Sequence, residues 1–212
     1  MKRIPILLLL LLIFSCKETK TESRTTDSSS ATENKDETIK TTSKDSLIFP
    51  EEKHFKSLQQ VTFGGDNAEA YWSFDNKQII FQSDWSEINS QGCDQIYIMN
   101  ADGSPISSGM QYQEVSTGKG RTTCSYFMPG DSTMVYASTH LGSKTCPPVP
   151  ETKGVYLWPI YEDFDIFVTD KAGNIVNQLT HEPGYDAEAT VSPDGKSIVF
   201  TSTRSGDLEL YI

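Results

Sequence analysis

The stretch "TVSPDGKSIVFTS", residues 190–202, decides the fold, because the chain writes it more than once. "YWSFDNKQIIFQS" (71–83) and "YFMPGDSTMVYAS" (126–138) follow the same plan. Each sets an apolar residue before a turn of Pro, Asp, Asn or Gly and follows the turn with a strand. Pro and Asp-Gly at such positions preset the backbone angles of a tight hairpin. The strands "QIIF", "MVYA" and "SIVF" are almost continuously apolar, the pattern of strands covered on both faces.

Working outward, "QIYIMNADGS" (95–104) matches "DIFVTDKAGN" (165–174), and "ELYI" (209–212) begins the same strand again. A third element, "QVT" (60–62), "EVS" (114–116) and "QLT" (178–180), precedes each unit. The register holds: Val61 lies 11 residues before Trp72, while Val115 and Leu179 lie 12 before Phe127 and Val191. Each unit thus carries four short strands joined by tight turns. Tandem units of this kind are the blades of a β-propeller. The expected fold is all-β, an incomplete propeller of about two and a half four-stranded blades. The third unit stops inside its third strand, which would leave an unpaired edge. From this the chain is expected to be part of a longer protein.

The run "LTHEPGYDAEATVSPDGKSIVFTSTRSGDLELYI" (179–212) resembles the repeat of TolB-like β-propellers, which reads L-T, a gap, a WSPDG-like turn, I-x-F-x-S, then I-Y-V-M-D-x-D-G. Phe74 and Asn76 depart from that turn, and Pro129 is shifted within it. The resemblance covers about residues 58–212. It implies a ring of about six blades serving as a non-catalytic scaffold that docks a protein or peptide in the cell envelope. Propellers of similar repeat also gate serine peptidases of the prolyl-oligopeptidase type. The alternative expectation is therefore a hydrolase domain beyond residue 212.

The N-terminus reads as targeting rather than fold. "MKR" is a positive n-region and "IPILLLLLLIF" an apolar run of 11 residues, too short for a bilayer span of about 20. The run ends in "IFSC", which resembles the bacterial lipobox and marks residues 1–15 as a signal peptide and Cys16 as the lipidated residue. Residues 16–46 form a Ser/Thr/Glu/Lys-rich tether with almost nothing apolar to bury. As a flexible coil it would reach roughly 30 Å. Residues 47–212 carry the blades. The expected location is outside the cytoplasm: a membrane-anchored lipoprotein at the outer membrane or facing the periplasm. A net charge of −11 disfavours nucleic acid, whose phosphates it would repel.

Propeller geometry places candidate residues. Successive strands are antiparallel, so the loops entering each innermost strand and the loops between second and third strands share one face, the expected ligand face. Glu69, Cys124 and Glu188 occupy equivalent positions near the ligand-face end of the innermost strands. The glutamates could form a carboxylate pair for a cation or a basic side chain, or accept backbone N–H groups from a neighbouring blade. The second blade's loop over 139–165 is 15 residues longer than the first blade's and carries Tyr156, Trp158 and Tyr161. Those aromatics either anchor a partner or pack the loop onto its blade. His140 and His181 also fall on this face. Acidic "YEDFD" (161–165) points to a basic partner, and a glycan is a further candidate. Cys93, Cys124 and Cys146 all belong to the same face, and an exported chain can pair them. The favoured pairing is Cys124–Cys146, which would clip the long loop over the axis. No G-x-S-x-G, H-E-x-x-H, Walker loop or G-x-G-x-x-G is present, so no catalytic residue, metal or cofactor is expected.

Overall fold

The computed structural model describes residues 47–107 and 109–212. The expected signal peptide, Cys16 and the tether lie outside the described residues. The strands form three antiparallel sheets. The first holds β1 (Asn67–Trp72), β2 (Gln78–Ser83), β3 (Gln95–Asn100) and β4 (Tyr112–Glu114) in that order. The second holds β5 (Thr122–Phe127), β6 (Thr133–Ser138), β7 (Asp165–Asp170) and β8 (Ile175–Gln178). The third holds β9 (Asp186–Val191), β10 (Ile198–Ser202) and β11 (Glu209–Tyr211). Spatial order equals chain order within each sheet, so every connection inside a sheet is a hairpin. This is the incomplete propeller expected from the repeats. One element differs: residues 60–62 pair with no strand among the described residues. Val61 instead packs beside Phe81, Tyr97 and Met99, and its carbonyl accepts the Tyr112 hydroxyl at 2.7 Å.

The sheets stack through their apolar faces, and the second is covered on both. Met134, Tyr136 and Phe167 meet Ile80, Ile96 and Ile98 of the first sheet. The residues between them turn the other way, so Val135 and Ile166 meet Ala189 and Phe200 of the third. All ten are buried, Phe200 at 8% exposure being the least so. A side-chain period of two thus serves two cores from one sheet, as the continuously apolar strands required.

The turns after each innermost strand also interlock. Asn76, Asp131 and Gly195 are equivalent positions, all with left-handed backbone (φ 60°, 57° and 71°). Asp131 accepts the backbone N–H groups of Phe74 and Asp75 in the first sheet's turn at 2.7 and 2.9 Å. At the next junction the second sheet offers Pro129, which has no N–H, and the third answers with Gly195. A Cβ there would meet Pro129 Cγ at 2.5 Å. Each junction therefore has its own complementary pair, one polar and one steric.

Candidate functional site

The innermost strands β1, β5 and β9 each carry a break in register against their partner, between Ala68 and Tyr71, between Thr123 and Tyr126, and opposite Val199–Thr201. At each break sits a non-glycine residue with left-handed backbone: Glu69 (φ 50°), Cys124 (φ 46°) and Glu188 (φ 60°). These are the three positions the repeat alignment makes equivalent. Such a conformation costs about 1–3 kcal/mol per residue and concentrates at functional sites. A bulge re-aims the side chain it carries; here all three border one space of about 220 Å³, together with Tyr71, Ser125 and Trp158.

The two carboxylates are not satisfied by neighbouring backbone. Glu69 accepts the Tyr71 hydroxyl at 2.9 Å. Glu188 accepts the hydroxyls of Thr201 at 2.8 Å and Tyr185 at 3.3 Å. The Glu69 hydrogen bond, with burial behind it, pushes the Tyr71 phenol up to about 12. Burial pushes the Cys124 thiol up to about 11, with the Glu69 and Glu188 charges adding to it. Cys124 is a neutral thiol at physiological pH, and its backbone N–H is held by Gln82 Oε1 of the first sheet at 3.1 Å. A nucleophilic cysteine needs the opposite environment.

The long loop, residues 139–164, arches over this region. Trp158 Nε1 donates to Tyr185 Oη at 3.4 Å, and Tyr161 Oη donates to the Pro148 carbonyl at 3.2 Å. Tyr161, Phe164 and Tyr185 stack in sequence, with ring centres 6.1 and 5.5 Å apart. Trp158 is the shared wall of three cavities. Besides the space around the glutamates, one of about 240 Å³ lies between the loop's Tyr156, Trp158 and Tyr161 and a polar floor of Gln82, Asp94 and Arg121. The third, about 320 Å³, is lined by Trp158, Ile160, Glu188 and Leu208. In that floor Arg121 and Asp94 pair at 2.6 Å; burial raises the Asp94 carboxyl despite the guanidinium beside it.

Two expectations change. The disulfide joins Cys93 to Cys146 (Cα–Cα 5.9 Å), and Cys124 is free. The loop leaves β6 toward the first sheet, which brings Cys146 beside Gln91 and Cys93. Cys124 stays locked in its bulge. The bridge ties the base of the loop to residues 84–94 rather than clipping its tip over the axis. His140 borders none of these three cavities: its ring lies 4.4 Å from Phe167, its Nδ1 is 3.0 Å from Ser138 Oγ, and burial lowers its basicity. His181 borders a separate hollow with Leu179 and Ile212. Repeat matching passed over Arg121 and Tyr185. Both immediately precede an innermost strand, as Asp66 does, so extending the alignment by one residue would have found them. Among the described residues no group of three or more His, Cys, Asp or Glu side chains is disposed to hold a metal ion.

No protein-family model matches the chain. Three curated relatives, the Tol-Pal system protein TolB of Bordetella pertussis, Bordetella parapertussis and Bordetella bronchiseptica, are each 43% identical to it over 44 residues. The match covers 21% of this chain and spans a tenth of the relatives' length. Two solved structures are also similar. TolB of Acinetobacter baumannii shares 21% identity at a TM-score of 0.46, over 69% of this chain and 29% of that one. A structure assigned as TolB from Agrobacterium tumefaciens shares 19% at 0.48, over 73% and 46%. Over that short stretch the chain is similar in sequence to TolB, the resemblance its repeats carry.

The thiol's surroundings fix its reactivity. In a chain carrying Cys16→Ser, iodoacetamide should modify Cys124 of the folded protein at pH 8 at least tenfold more slowly than free cysteine, the rate rising only beyond pH 10. Rapid modification at pH 8, followed by mass spectrometry, would show that the thiol is not held neutral.

Proposed function

We propose that the chain is an envelope-tethered lipoprotein whose propeller binds a protein or peptide on the face built from the long loop and the innermost strands, without catalysis. The observation that carries this reading is Trp158. It is 50% exposed, yet borders all three cavities of that face. It stands in a run, Val155 to Ile160, where Val155, Tyr156, Leu157 and Ile160 are exposed as well. A contiguous apolar patch rimmed by charge marks a contact surface. Large aromatics at its centre supply most of the binding energy in such interfaces. The disulfide and the Trp158–Tyr185 contact hold the loop in place, which lowers the entropy cost of binding.

The surrounding charge favours a basic partner: Glu151, Glu162 and Asp163 lie in the loop and Glu182 precedes β9. The short match to Tol-Pal system proteins agrees with an envelope role, as do the lipobox-like "IFSC" and the polar tether.

Two experiments test this. Twelve-residue peptides selected by phage display on the full chain should lose about thirtyfold in affinity with Trp158→Ala or Tyr161→Ala, the cost of roughly 2 kcal/mol typical of a central anchor. The melting temperature should move little. Equal loss of binding and stability would make these aromatics packing residues instead. Separately, Cys16→Ser should release the exported chain from the membrane fraction of a bacterial host; retention in that fraction would contradict the lipid anchor.

A further inference from the structure

Glu69 and Glu188 come from different sheets and border the same space, yet among the described residues every hydrogen-bond partner of each is a neutral hydroxyl. Among the described residues neither takes part in an ion pair. Two carboxylates on left-handed backbone border one partly enclosed space, and a cation placed there would be attracted by both. A second observation is independent of the acids. Ser125, only 1% exposed, borders the same space, and its buried Oγ has no hydrogen-bond partner among the described residues. A buried hydroxyl left unpaired costs about 1–3 kcal/mol, so such an atom asks for a ligand. A third is the wall: Trp158 closes one side with an indole, the aromatic surface most attractive to an organic cation.

From these we infer that the space bordered by Glu69, Ser125, Trp158 and Glu188 is a subsite for a cationic side chain, arginine or lysine, presented by the bound peptide. The inference rests on the reading of this face as a peptide-binding surface and names what the axial end of that surface selects. The two carboxylates accept the N–H groups of the cation, and the Ser125 hydroxyl accepts another. The alkyl stem lies along Trp158. At about 220 Å³ the space suits a side chain rather than a bare ion. Cys124 stands where the other two sheets place glutamate, which keeps the subsite at two charges instead of three.

The test uses single amino-acid derivatives, so it can fail while peptide capture through Trp158 survives. N-acetylarginine methylamide and N-acetyllysine methylamide are titrated separately into the 15N-labelled full chain and followed by amide shifts. At least one should bind at millimolar concentration and shift the amides of Cys124, Ser125 and Glu188. N-acetylcitrulline methylamide, the neutral isostere of the arginine probe, should bind at least tenfold more weakly. Glu69→Gln and Glu188→Gln, which keep shape and fold, should each weaken the cation tenfold or more, and Ser125→Ala about threefold. Equal binding of citrulline would overturn the proposal. So would shifts confined to Glu151, Glu162 and Asp163 on the loop. Calcium ions shifting the same three amides in a Glu69-dependent way, with no response to either organic cation, would show a metal site in its place.

Discussion

Everything in this chain follows from strands that are apolar on both faces. β6 and β7 bury Met134, Tyr136 and Phe167 on one side and Val135 and Ile166 on the other. A sheet of that kind cannot stand at a surface. It needs cover on each side, here from the first and third sheets, and the side-chain period of two ensures that neither partner is redundant. Stacking then forces the innermost strands β1, β5 and β9 side by side, and whatever those strands carry at equivalent positions is gathered into one place.

That gathering explains why the bulges matter. In an isolated hairpin, a left-handed glutamate or cysteine would be a local cost with no return. Repeated in register around a common axis, Glu69, Cys124 and Glu188 border a single space instead of three. The turns on the opposite end lock the spacing: Asp131 fastens the first junction through backbone N–H groups, and Gly195 seats against Pro129 at the second. The long loop adds the remaining wall. Its base is tied to the first sheet by Cys93–Cys146 while its Trp158 reaches the third through Tyr185. One insertion therefore spans all three sheets.

The architecture was legible because its signals are local and repeated. The matched residues Trp72, Phe127 and Val191 are the last of β1, β5 and β9, and the equivalence of Glu69, Cys124 and Glu188 reappears as three left-handed residues. What the repeats could not reveal depends on directions between blades. Three thiols on one face left the pairing open, and the path of the loop out of β6 chose Cys93 for Cys146. The carboxylates found the hydroxyls of Tyr71, Tyr185 and Thr201 rather than backbone N–H groups, because the bulges turn them inward. His140 follows β6 toward Phe167, and no spacing rule announces that. Residues 60–62 copy the sequence of a fourth strand but meet no strand to pair with among the described residues, so Val61 is held by packing and by the Tyr112 hydroxyl instead.

The second sheet is the common core of the other two. Native-state hydrogen exchange measures it directly. The amides of Met134–Ala137 and Ile166–Val168 should exchange only through global opening and be the slowest to exchange, with β1 and β11 opening first. Strands of the first or third sheet outlasting β6 and β7 would contradict it.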